Sequence, residues 1–156
     1  MRALDMEVIM TYLSKEAIKL SFPAVDWKEA VMESGKLLVL AGKATEGYVR
    51  AMIEIVQEFG AYIVVAPGLA MPHARPEAGV LETGISFLTL KDPVFFPGRE
   101  DNPVVMLIAL AAESNDVHLD LMESIGQIIC DNQQLLSLQE SVSENYVFDY
   151  FGGKLQ

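Results

Sequence analysis

Every residue from Val104 to Ala112 is apolar, and this run sets the first limit on the fold. It falls well short of the roughly 20 residues needed to span a bilayer. It therefore reads as a strand, and a second strand is expected over Gly84 to Leu90. Val94-Phe95-Phe96 suggests a short strand between them, with Pro97-Gly98 and the polar Arg99 to Asn102 as a separating loop. Strands this apolar belong in a sheet covered on both faces.

The covering helices lie before and after these strands. Asp26-Trp27-Lys28-Glu29 has the form of a capping box. Trp27, Ala30, Val31, Leu37, Leu38 and Ala41 follow at helical spacing, and Gly42 suits the C-terminal cap. Thr45 can cap a second helix whose Tyr48, Val49, Met52, Ile55, Val56 and Phe59 share a face, with Gly60 as its stop. Ala61 to Ala66 reads as a buried strand ended by the Pro67-Gly68 turn, and Leu69-Ala70-Met71 as a brief extension of the sheet.

After Ala112 the period becomes helical again. His118, Leu121, Met122, Ile125 and Ile129 fall on one face, with Ser114, Asn115 or Asp116 available as N-cap. Gln133 to Phe151 reads as two short helices, and Leu4 to Leu20 as a helix followed by an extended piece ending at Phe22-Pro23. A chain of 156 residues suits one domain. The expectation is thus an α/β, single-domain layered fold over 1–156, a mixed β-sheet flanked by helices on both faces, with 1–22 as a helical and extended lead-in. The order of the strands is not legible.

Bulk properties exclude several function classes. Eleven Lys and Arg against 22 Asp and Glu give a net charge of -11, which repels nucleic acid and anionic membrane surfaces and favours basic protein partners. Solubility alone accounts for such acidity equally well. Cys130 is the only cysteine, so an intramolecular disulfide is impossible and a reducing compartment is the natural setting. After Ile128 and Ile129 it is expected at the tail of an apolar helix face, in the core. Asp5 and Glu7 break the early apolar stretch, so no export signal is expected, and the location expected is cytoplasmic.

Only two histidines exist, His73 and His118, and each follows an expected strand, where loops present functional groups from a rigid sheet. His73 stands in Met71-Pro72-His73-Ala74-Arg75-Pro76-Glu77, with a proline fixing the backbone on either side. A fixed imidazole suits phosphoryl transfer: it is largely neutral near pH 7, its free nitrogen is a nucleophile, and its other nitrogen can be held by a carbonyl. Transfer then needs donors converging on the phosphate oxygens. His118, in the first turn of its helix on the apolar side, is suited to be such a neutral donor, and Arg75 is the nearest cationic fork. Spacing alone leaves His118 open between this role and that of a satisfied core histidine, and Arg75 open between phosphate ligand and solvated loop residue.

No P-loop, dinucleotide glycine fingerprint, nucleophile elbow or HExxH is present, so no cofactor is expected. The two histidines make a poor zinc site without a clear third ligand; Glu77, Glu113 and Asp116 could be proposed for it, but solvated loop carboxylates are commoner.

The segment from Ala66 to Val80, centred on Met71-Pro72-His73-Ala74-Arg75-Pro76-Glu77, resembles the active-site segment of phosphotransferase-system enzyme IIA proteins of the mannitol/fructose superfamily, and the ascorbate-type branch in particular. The likeness extends to Thr45–Gly60, Thr83-Gly84, Asp101-Asn102-Pro103 and Asn115-Asp116-Val117-His118. It implies the fold of that superfamily, with His73 as phosphohistidine and His118 as second histidine of the site. It further implies a phosphotransferase that accepts phosphoryl from the carrier HPr and donates it to a cysteine of a cognate enzyme IIB. Uptake of ascorbate or a related sugar acid through a separate membrane permease, enzyme IIC, would follow. The alternative it leaves open is a regulatory relative whose phosphorylation state controls a binding partner. Mannitol-type members carry an active-site arginine on the helix that here spans Thr45 to Phe59. Ile55 stands in its place and Arg50 does not align with it, which makes Arg75 the expected substitute.

Overall fold

The computed structural model describes residues 12–129 and 131–151. The expected helix from Leu4 therefore lies largely outside the described residues, as does Cys130. Among the described residues five strands, β1 (Ile18–Phe22), β2 (Val64–Ala66), β3 (Leu69–Ala70), β4 (Gly84–Phe96) and β5 (Arg99–Ala111), form one sheet in the order β1-β4-β5-β3-β2. β1 runs parallel to β4 and β3 parallel to β5, while the β4/β5 and β2/β3 pairs are antiparallel. Among the described residues five α-helices surround it: α1 (Trp27–Leu40), α2 (Glu46–Phe59), α3 (Asn115–Ile128), α4 (Asn132–Gln139) and α5 (Glu144–Phe151). Among the described residues no helix is long and apolar enough to cross a membrane.

Successive residues of a strand face opposite ways, and β4 shows that both faces are covered. The Ser86 hydroxyl donates to the Ser34 carbonyl of α1 at 2.8 Å, whereas the next residue, Phe87, meets Phe151 of α5 edge to face at 6.0 Å. Gly84 to Leu90 and Met106 to Ala111 are buried without a break, the burial that their apolar runs require. α2 lies against α1, and Gly35 lets Val49 and Met52 approach so closely that a Cβ there would collide with both.

Local chemistry sets the helix ends. Glu29 N–H donates to the Asp26 Oδ1 cap, and Val117 N–H to Ser114 Oγ. α1 ends in a Schellman motif, with Gly42 N–H donating to Val39 and Lys43 N–H to Leu38, the left-handed Gly42 (φ 77°) making the reversal. α2 stops at Gly60 as expected. Phe59 departs from its expected face: it is 68% exposed, while Tyr48, Val49, Met52 and Val56 are buried.

The expected loop at Arg99 to Asn102 is corrected to strand. β4 and β5 are joined by the two-residue Pro97-Gly98 turn, with Phe96 paired to Arg99, and the short strand Val94–Phe96 is the far end of β4. This arm of the hairpin is half solvated: Val94 and Phe96 are buried while Phe95 points out. Trp27 caps Phe96 at 5.6 Å between ring centroids. The expected strand over Ala61 to Ala66 shortens to Val64–Ala66. Asn102 fastens its turn, accepting from Gly68 N–H and donating to the Ala66 carbonyl, both at 2.9 Å.

Candidate active site

β3 and β5 are parallel neighbours, with Leu69 opposite Met106 and Ala70 opposite Leu107, so their C-terminal ends open side by side. His73 follows the first strand and His118 stands in the first turn of the helix that follows the second. The crevice beyond the carboxyl ends of such strands is where open α/β sheets collect their functional groups. The two rings meet there at 4.6 Å between centroids, tilted by 51°.

Backbone bonds lace the segment carrying His73 to the sheet. Met71 N–H donates to the Ile63 carbonyl at 2.8 Å, and Leu110 N–H of β5 donates to the Pro72 carbonyl at 2.9 Å. Ala74 N–H donates to the hydroxyl of Tyr48 on α2 at 3.0 Å, and that hydroxyl lies 2.6 Å from the Leu110 carbonyl. His73 Nδ1 sits 2.8 Å from the Met71 carbonyl, which can only accept. Nδ1 therefore carries the proton in the neutral ring, and Nε2 keeps a free lone pair.

A cavity of about 590 Å³ opens beside the two histidines. Ala51, Ile55 and Phe59 of α2 form an apolar wall, and Tyr62, 51% exposed, sets its ring edge-on to His73 at 5.5 Å. Arg75 lines the cavity, is exposed and makes no ion pair among the described residues. Glu58 and Glu77 also border it, as does Asn115 at the start of α3. Ile55 faces the cavity, so α2 offers it no cation, and Arg50 is not among its lining residues. Glu113 is engaged elsewhere, within 3.3 Å of the Thr83 hydroxyl through both its carboxylate and its N–H.

Both imidazoles are held below their ordinary pKa of 6.5. For His73 burial is the cause, opposed in part by the Met71 carbonyl; for His118 burial acts first and the neighbouring His73 charge second. The site thus keeps two neutral rings at pH 7, one with a free nitrogen for attack and one able to donate a hydrogen bond. The structure places His73, His118 and Arg75 along one cavity. Tyr48 and Tyr62 are the additions. A tyrosine at a buried helix position is itself a signal, because its hydroxyl must find a partner.

Residues 11–153 match the family described as phosphoenolpyruvate-dependent sugar phosphotransferase system, EIIA 2. The ascorbate-specific PTS system EIIA component of Escherichia coli (strain K12) is 38% identical over 135 residues, 86% of this chain and 88% of that one. The solution structure of the mannitol-specific cryptic phosphotransferase enzyme IIA from Escherichia coli superposes with a TM-score of 0.82 at 33% identity, covering 98% of this chain and 99% of the other. A complex of mannitol enzyme IIA with phosphorylated enzyme IIB from Escherichia coli contains a chain that matches with a TM-score of 0.81 at 27% identity, over 90% and 97% of the two.

Proposed function

Given that the chain belongs to the EIIA 2 family of the phosphoenolpyruvate-dependent sugar phosphotransferase system, we propose that it carries phosphoryl on His73 Nε2, from the phosphohistidine of HPr to a cysteine of a cognate enzyme IIB. The observation that carries this reading is the 2.8 Å contact of His73 Nδ1 with the Met71 carbonyl, which leaves Nε2 as the nucleophile. In the first step the Nε2 lone pair forms a bond to phosphorus as the nitrogen–phosphorus bond in the donor breaks. In the second the IIB thiolate attacks phosphorus and Nε2 leaves with its electron pair.

The role of the surroundings follows from the charge on the transferred group. His118 donates a hydrogen bond to its oxygens, and Arg75 supplies the positive charge that Ile55 cannot. The wall of Ala51, Ile55 and Phe59 is apolar, so it offers no group to orient a water for attack on the phosphohistidine. On this reading the chain is one cytoplasmic domain, served by a separate enzyme IIC permease. The resemblance of Ala66 to Val80 favours ascorbate or a related sugar acid as the transported solute.

The test is reconstitution with phosphoenolpyruvate, enzyme I and HPr, followed by addition of enzyme IIB proteins. An acid-labile phosphate is expected on the wild type and absent from His73→Ala. Label undiminished in His73→Ala would end this reading.

A further inference from the structure

Both residues flanking His73 are tied, directly or through one side chain, to a single residue of β5. The Leu110 N–H holds the Pro72 carbonyl at 2.9 Å, and the Leu110 carbonyl lies 2.6 Å from the Tyr48 hydroxyl, which accepts the Ala74 N–H at 3.0 Å. β3 has ended at Ala70, so beyond it the edge of β5 binds the His73 loop where it had bound a strand. The tyrosine oxygen has one proton, and the Leu110 carbonyl is the nearer acceptor, since the Ala74 carbonyl stands at 3.3 Å. Tyr48 is 1% exposed, and burial raises its phenol to about 12, so the hydroxyl remains a donor throughout the neutral range.

We infer that Tyr48 is a positioning residue for the phosphoacceptor: its hydroxyl clamps Ala74 to strand β5 and so fixes His73 in the Nδ1–H tautomer with Nε2 aimed into the cavity. The inference rests on the reading of His73 as the acceptor. A neutral imidazole free in water prefers the other tautomer, with the proton on Nε2 and no lone pair there for attack. The Met71 carbonyl reverses that preference only while the ring is held against it at 2.8 Å, and His73 has the clamp on one side and Pro72 on the other. Tyr48 does not touch the phosphate; it acts through the geometry of residue 74.

Tyr48→Phe keeps the ring and deletes the hydroxyl. Nitrogen NMR of the unphosphorylated imidazole near neutral pH is expected to show the Nδ1–H form in the wild type and a shift toward the Nε2–H form in the variant. At saturating phospho-HPr the maximal rate of His73 phosphorylation is expected to fall about 10- to 100-fold, with KM for the donor within about two-fold. A variant with the wild-type tautomer and the wild-type maximal rate would overturn the clamp, even if its Tm is lower. The intact protein offers a check that needs no variant: the Ala74 amide is expected to exchange with solvent roughly 100-fold or more slowly than an open loop amide. An unprotected Ala74 amide overturns the inference whatever the variant does. Label remaining on His73→Ala would instead strike the carrier reading, and the tautomer comparison separates the two failures.

Discussion

His73 and His118 meet at 4.6 Å between ring centroids, yet among the described residues only His73 has a ring nitrogen fixed by a backbone carbonyl, at 2.8 Å from Met71. That asymmetry assigns them different work. On the carrier reading proposed above, the first ring is the nucleophile and the other, on the first turn of α3, is a hydrogen-bond donor to the group it carries.

His118→Ala is therefore expected to leave His73 able to take the phosphate while slowing transfer by roughly 100-fold, the usual cost of losing one oriented donor to a developing charge. Rapid-quench measurement of phosphoryl transfer from HPr and to enzyme IIB checks this. A variant as fast as the wild type would reduce His118 to a packing residue.

Arg75 is exposed and unpaired among the described residues, so its loss costs the fold little. Arg75→Ala is expected to lower the transfer rate about ten-fold, as for a lost hydrogen bond to a charged group, with Tm within about 1 °C of the wild type. Ile55 lines the same cavity, and Ile55→Arg in the Arg75→Ala background is expected to recover part of the rate. Full activity of Arg75→Ala would show that the phosphate is balanced without it.

Burial lowers both histidine pKa values below 6.5, which fixes the sign of a pH effect on stability. The unfolded chain takes up protons near pH 6.5 while the folded site resists them, so this part of the stability is complete above about pH 6.5. It is lost progressively as the pH falls from there toward the folded values. Thermal unfolding between pH 7.5 and 5.5 is expected to show a falling Tm, with a shallower slope in His73→Gln than in the wild type. Equal slopes would mean that His73 protonates as easily folded as unfolded.

Gly79 closes the His73 loop against the start of α2: its φ is 144°, its carbonyl accepts the Thr45 N–H at 2.9 Å, and a Cβ would run into Thr45 Oγ1. Gly79→Ala is expected to cost about 1–3 kcal/mol, a Tm loss of several degrees for a chain of this size. Calorimetry decides it, and an unchanged Tm would mean that α2 gives way without cost.

The parts of the fold legible in the sequence are those written in local chemistry. The caps at Asp26 and Ser114 and the stops at Gly42 and Gly60 depend on groups within a few residues of one another, and they stand where the pattern indicates. Arg99 to Asn102 misled because the outer arm of the β4/β5 hairpin is half exposed, and a solvated strand admits the polar residues that elsewhere mark a loop. Phe59 misled in the opposite sense, since an apolar side chain at helical spacing here borders a cavity and is not covered. Tyr48 read as core, and it is core; the partners of its hydroxyl come from β5 and from the loop after His73.

The sequence by itself determined that His73 sits between prolines after a strand, that His118 opens a helix, and that the sheet is buried on both faces. Each of these depends on near neighbours or on the apolar content of a single segment. Only the tertiary structure decided that β3 lies parallel beside β5, which brings the two histidines to one cavity and hands the His73 loop to Leu110 and Tyr48. The physical reason is that strands pair through backbone groups that every residue carries alike, so apolar segments of similar composition do not name their neighbours. The pairing is settled by the joint packing of all five strands and the helices that cover them.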